Sequence, residues 1–164
     1  MGTEIAACDF DIKFTESIAQ MSHDNILILP INYESINSES EIRFQSEAAT
    51  VKTLFRQRKI PHSMFSWKAL PTRYVQNNAF EWIGPALFIS AGIFSQNELA
   101  INTALGVLAS YIADYFKGRS GNNVAKLTIV VEQTKKKQCK KINYEGDAEG
   151  IKNLGEIIKS IANE

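Results

Sequence analysis

Between Cys8 and Phe14 every second residue is apolar: Cys8, Phe10, Ile12 and Phe14 fall on one side, and Asp9, Asp11 and Lys13 on the other. That period predicts a half-buried strand. The same alternation returns at Val124–Glu132, where Leu127, Ile129 and Val131 mark one face, and Lys140–Glu145 follows after the turn Lys135-Lys136-Lys137. Two such runs across a short polar turn predict a hairpin. Ile26–Leu29 is a continuous apolar run ending at Pro30, the pattern of a strand covered on both faces. Shorter strands are predicted at Ser63–Lys68 and Thr72–Gln76, and a turn or a single helical turn at Thr15–Gln20. The polar stretch 33–41 reads as a loop.

Helical spacing begins near Ser46, with Ala48, Val51, Leu54 and Phe55, and stops at Pro61. It returns at the end of the chain, where Asp147 is a good N-cap and Ile151, Leu154, Ile157, Ile158 and Ile161 form one apolar stripe. The longest apolar stretch is Trp82–Phe116, whose only charged side chains are Glu98 and Asp114. It predicts a helix pair over about residues 82–117. The first helix starts at Gly84-Pro85, where proline loses no needed donor, and runs to Phe94. Ser95 and Glu98 have capping-box spacing for the second, which runs to Phe116 with Gly118 as its left-handed end. Its apolar side is Ile101, Ala104, Leu105, Leu108, Ile112 and Tyr115; its other side is Asn102, Gly106, Ser110 and Asp114.

Together these elements predict one α+β domain over residues 1–164. Its mixed or antiparallel sheet, with a C-terminal β-hairpin at about 124–145, is covered on one face by the helix pair and by a final helix at about 147–162. The chain contains no internal repeat or linker, and 45% hydrophobic with 22% charged residues excludes a disordered chain.

Crossing a membrane needs about 20 predominantly apolar residues. The first helix of the pair ends too early, and the second is interrupted by Asn102, Ser110 and Asp114. A charge near the bilayer centre costs at least about 2.5 kcal/mol. The expectation is therefore a buried core. Contact with a membrane or an apolar partner stays as the alternative, because Lys117 and Arg119 follow directly.

Net charge is zero but segregated. Residues 1–50 hold nine acids and two bases, 51–78 six bases and no acid, and 117–141 eight bases against Glu132. These blocks are expected to pair across the fold or a self-association surface. The basic segments lack the interleaved aromatics of nucleic-acid grooves, which argues against a nucleic-acid partner. Cys8 and Cys139 have no metal-ligand spacing and imply no disulfide framework, so a cytoplasmic setting, with a peripheral membrane association as its variant, is expected. The start of the chain has neither a signal peptide's basic segment nor its apolar one.

Candidate chemistry is sparse. Asp9 and Asp11 share one strand face in the predicted register, a pair able to hold Mg²⁺, but no third ligand or phosphate loop accompanies them. His23 and His62 lack partners at a recognised spacing, and His62-Ser63 sits in no nucleophile elbow. Gly118-Arg119-Ser120-Gly121 has the form of a nucleic-acid-clamping loop but joins a helix to a strand rather than two helices. No cofactor, metal or catalytic residue is expected.

The second half, Pro85–Ile161, carries an apolar helical segment and a helix, then AKLTIVVEQ, a lysine turn, KKINYEG, and finally DAEGIKNLGEIIKSI with Gly146, Asp147, Glu149 and Ile151. In this order of elements it resembles the effector-associated constant component proteins, small members of prokaryotic conflict systems. The resemblance implies a non-enzymatic protein working beside effectors and sensors, and it carries over no site residues. The expected function is thus an interaction or adaptor component of a multi-protein, anti-phage assembly, with protein partners and a homo-oligomer. Its candidate surface comprises Trp82, Asn102, Gly106, Ser110, Lys117 and Arg119. The alternatives are a conditional membrane-acting effector using residues 85–116 and a small enzyme using Asp9 and Asp11 or His62.

Overall fold

The structure is a computed structural model that describes residues 2–8, 12–37, 40–67, 72–76, 81–118, 123–136 and 138–164. Its main sheet has seven strands: β1 (Gly2–Ala7), β2 (Ile26–Leu29), β4 (His62–Met64), β6 (Trp82–Ile83), β7 (Ala86–Ile89), β8 (Ala125–Glu132) and β9 (Cys139–Gly146). They run in the order β1-β9-β8-β7-β2-β4, with β6 also on β8. β3 (Ile42–Gln45) and β5 (Thr72–Val75) form a separate parallel pair. Parallel and antiparallel pairings mix in the main sheet: β8 runs parallel to β6 and β7 and antiparallel to β9. The helices are α1 (Ile12–Met21), α2 (Glu47–Gln57), α3 (Ala91–Gln96), α4 (Glu98–Phe116), α5 (Ala148–Lys152) and α6 (Leu154–Ala162). The chain is one α+β domain.

Ile26–Leu29 is at most 1% exposed along its whole length, because β7 and β4 flank it and helices cover both faces. Alternation sets those faces. Ala125, Leu127, Ile129 and Val131 look toward the helical layer of α2, α4, α5 and α6; Lys126, Thr128, Val130 and Glu132 look the other way. On that second face α1 packs, through Ile18 beside Phe88 and Cys139, and Glu34 of the following segment reaches Lys141 at 2.7 Å. Helices on both faces correct the expectation of one covered face.

Residues 82–89 correct the predicted helix pair. They are strand, so the pair begins only at Ala91, with the six-residue α3 followed by α4. A short apolar run suits a buried strand and a buried helix equally, and its period cannot choose. Here the neighbour chooses. Trp82-Ile83 pairs with Ala125-Lys126, and Leu87–Ile89 with Ile129–Val131, so β6 and β7 are one strand interrupted at Gly84-Pro85, where proline offers no ladder donor. The caps move accordingly. Ser90 Oγ accepts the Ile93 N–H at 3.1 Å to start α3, and Asn97 Oδ1 accepts the Ala100 N–H at 3.1 Å to start α4; Ser95 lies inside α3 and caps nothing.

The N-terminal strand is also displaced. Strand β1 ends at Ala7, before the predicted Cys8–Phe14, and Ile12 already belongs to α1. Asp9, Phe10 and Asp11 lie outside the described residues. The predicted single turn at Thr15–Gln20 is the body of this ten-residue helix. His62, expected in a loop, opens β4. The hairpin β8–β9 is as predicted, Asp147 Oδ1 caps α5 by accepting the Gly150 N–H at 2.9 Å, and Gly118 ends α4 with φ 79°. The final helix is divided at Asn153.

Candidate interaction surface

Strand β1 is the edge of the main sheet. It pairs with β9 on one side, from Gly2 opposite Glu145 to Ala7 opposite Lys140, and no described strand pairs with its other side. Five of its six residues are exposed, and Ile5 keeps 50% of its surface open. The segment GTEIAA contains no lysine, no proline and no bulge, the usual devices that keep a sheet edge from recruiting another strand. The opposite edge, β4, is blunted: three partly buried residues preceded by Pro61.

The backbone of β1 can be oriented residue by residue. The Cys8 N–H donates to the Cys139 carbonyl at 3.4 Å. Antiparallel pairs alternate between bonded and non-bonded, so Gly2, Glu4 and Ala6 also spend their amides on β9. The hairpin agrees, since Gln133 N–H donates to the Gln138 carbonyl and thereby leaves Cys139, Lys141, Asn143 and Glu145 for β1. Thr3, Ile5 and Ala7 therefore turn their N–H and C=O groups outward.

Beside this edge the sheet face turned from the helical layer is open. Gly2, Thr3, Glu4, Gly84, Lys126, Thr128, Asn143 and Glu145 line a shallow groove of about 470 Å³. Some of its polar groups are already engaged: Thr128 Oγ1 donates to Asn143 Oδ1 at 3.1 Å, and Lys126 pairs with Glu81 beside the groove at 3.0 Å. The hydrogen bond to Glu81 and its charge raise the Lys126 pKa.

Of the predicted surface residues, Asn102 and Ser110 are exposed on α4 and Lys117 just after its end, and an added Cβ at Gly106 would meet nothing within 4 Å. Leu99, on the same outer side, is 75% exposed. Trp82 is a correction. It is 1% exposed, beneath the Tyr111 ring of α4, and belongs to the packing rather than the surface. Its ring fills the place a side chain on residue 84 would need: an added Cβ on Gly84 would lie 2.5 Å from Trp82 Cη2. Arg119 lies outside the described residues. The inner side of α4 is core: Ile101, Ala104, Leu105, Leu108 and Ile112 are all at most 3% exposed. Among the described helices α4 alone is long and apolar enough to cross a membrane, by length and composition, and 44% of that stretch is buried in the domain.

The segregated charges pair across the fold in part. Glu34 and Glu41 of the acidic first block hold Lys141 at 2.7 Å and Arg73 at 3.3 Å. Lys52, Arg56, Arg58 and Lys59 are exposed at the C-terminal half of α2, where positive charge complements the helix dipole, and make no ion pair among the described residues.

A second hollow, of about 360 Å³, gathers Ser22, His23, Ser90, Glu132 and Cys139. These are nucleophile, base and acid types, which the sequence spacing did not bring together. Their bonds serve structure instead. Ser90 Oγ donates to the Ser22 carbonyl at 2.9 Å while it caps α3, and Glu132 Oε1 accepts the Ala91 N–H at 2.9 Å. Burial, then the charge of Glu132, pushes the Cys139 thiol up to about 12, the opposite of an activated nucleophile. Cys8 stands opposite Cys139 across the strands and is pushed up to about 11, by burial first and Glu34 second. His62 Nδ1 lies 2.8 Å from the Ile60 carbonyl, its ring packs on Phe55, and Ser63, its neighbour along the strand, points to the other face of the sheet.

Comparison of the chain with models of known protein families, with curated proteins and with solved structures finds no match.

Proposed function

We propose that this chain is a non-enzymatic interaction module whose working surface is the outer edge of β1. One observation carries the reading: a six-residue edge strand, exposed at five positions, that offers three residues' worth of backbone unpaired among the described residues, with Glu4 its single charge. A strand added there would gain main-chain hydrogen bonds for affinity and side-chain contacts at Ile5 for selectivity. The exposed side of α4, with Leu99, Gly106 and Ser110, provides a second surface for a larger assembly.

An adaptor role in a prokaryotic conflict system draws on the resemblance of Pro85–Ile161 to effector-associated constant components; the order α4, β8–β9, α5–α6 accords with it, while residues 86–89 of the apolar segment before α4 are strand rather than helix. The membrane-acting alternative is less favoured, because insertion of α4 would withdraw five fully packed side chains from the core. A catalytic alternative is less favoured because Ser90 and Glu132 are committed to capping α3.

The test is an epitope-tagged chain expressed at native level, sized in extract by chromatography. Wild type is expected in a complex that contains at least one other protein, and Ile5→Lys, with an unchanged far-UV spectrum, is expected to leave it. A complex indifferent to Ile5→Lys would refute the role of this edge.

A further inference from the structure

Resting on that reading of the edge, we propose that the strand β1 receives is the β1 of a second copy of this chain, joined antiparallel about a two-fold axis at Ile5.

The backbone restricts the registers. A two-fold axis normal to the sheet keeps each face on its own side, so opposed residues must share a face, and each residue faces either itself or one an even number of positions away. Two registers keep the strand paired over most of its length. One is centred on Glu4 and the other on Ile5. Centring on Glu4 sets Glu4 against Glu4 of the second copy at the close, non-bonded spacing, where like charges repel.

Centring on Ile5 removes that fault. Ile5 faces Ile5, Thr3 faces Ala7 and Ala7 faces Thr3. These are the three residues whose N–H and C=O groups already point outward, so each opposed pair exchanges two bonds and the junction closes with about six.

Both faces of that junction fit themselves. On the helical side, Ile5 sits beside Ile142 and Ile142 beside Ile129. Ile142 and Ile129 are fully buried, and Ile5 is half open. The second copy's Ile5 covers that open half, giving one unbroken apolar row from one core to the other. On the opposite face Glu4 meets the small Ala6 of the second copy, and Ala6 is the cross-strand neighbour of Lys141. Each carboxylate thus approaches the other copy's ammonium across a methyl group. Lys141 already holds Glu34 at 2.7 Å, so it comes to sit between two acids. The row is complementary only in this register.

The test uses the purified full chain. Sedimentation velocity from about 1 to 100 µM is expected to show a monomer–dimer equilibrium. Ile5→Lys, which sets two ammonium groups face to face at the axis, is expected to weaken it at least about 100-fold, with the melting temperature of the dilute protein unchanged. Register is read by cross-linking in a Cys8→Ala/Cys139→Ala background. Ile5→Cys places two Cα atoms about 5.5 Å apart, within reach of a disulfide. Mild oxidation by a small disulfide such as oxidised glutathione converts the two thiols to one disulfide and releases two molecules of the reduced reagent. Ile5→Cys is expected to give a covalent dimer and Glu4→Cys none. A monomer at every concentration, a dimer indifferent to Ile5→Lys, or cross-linking through Glu4→Cys instead overturns the proposal. A purified monomer beside a cellular complex that still needs Ile5 would remove the dimer and keep the interaction module; a purified Ile5 dimer beside a cellular complex indifferent to Ile5 would do the reverse.

Discussion

Leu108→Ala tests whether α4 belongs to the core. Leu108 is 0% exposed, and its neighbours one turn away, Ala104, Leu105 and Ile112, are at most 3% exposed. Ala104 and Ala109 have no length with which to fill the space a leucine would leave, so most of the cavity should persist. Loss of transfer energy plus a retained cavity costs roughly 2–5 kcal/mol for a Leu→Ala change, and this site belongs in the middle of that range, at about 3 kcal/mol. In a domain of this size each kcal/mol moves the melting temperature by about 2–4 °C, so the shift should be about 6–12 °C. The control is Ser110→Ala on the exposed side of the same helix, where alanine's helix propensity should leave stability within about 0.5 kcal/mol of wild type. Thermal melts and urea denaturation followed by circular dichroism read both. Equal effects at the two positions, or a shift under about 2 °C for Leu108→Ala, would refute the packing of α4 into the core and return the helix to a partner or a lipid surface.

Gly150→Ala should be costly, because its new methyl would run into the Tyr144 hydroxyl, which itself donates to the Asp147 carbonyl at 2.7 Å. A loss of about 1–3 kcal/mol is expected from such overpacking, and in a urea-denaturation cycle Gly150→Ala/Tyr144→Phe should cost less than the two single changes added together. The two thiols should react slowly with an aromatic disulfide reagent at neutral pH, and the rate should climb about tenfold per pH unit well past pH 9, since the protein holds Cys8 up to about 11 and Cys139 up to about 12. The linked stability has a definite sign. Folding favours the protonated thiols, so their contribution is intact below pH 9 and is lost as pH rises from 9 through 11–12. Cys8→Ala/Cys139→Ala should show a shallower alkaline decline in thermal melts.

Much of the architecture is local and therefore legible in the chain. The alternation of Leu127, Ile129 and Val131, the lysine turn and the return strand define a hairpin without reference to anything else, and β8–β9 forms there. The stripe Ile151, Leu154, Ile157, Ile158 and Ile161 and the cap at Asp147 predict one final helix in the same way, and that span is helical but divided at Asn153 into α5 and α6. The inner and outer sides of α4 divide as its helical period requires, with Ile101, Leu105 and Leu108 inside and Asn102 and Ser110 outside.

What the chain could not declare was whatever depends on a distant partner. Trp82–Ile89 is strand because β8, some forty residues later, offers it a ladder. Gly2–Ala7 is strand because β9 does so from the far end of the chain, while GTEIAA carries only Thr3 and Ile5 of the strand-favouring types. Trp82 looked like a surface aromatic until the sheet and α4 closed over it. The meeting of Cys8 with Cys139 follows from the same β1–β9 register. The free edge itself belongs to strand order, and strand order is settled only when every strand has found its neighbours. Local periodicity determined α2, α4 and the C-terminal helical span and which face of each is apolar; tertiary pairing decided that residues 86–89 are strand and which strand was left with an open side.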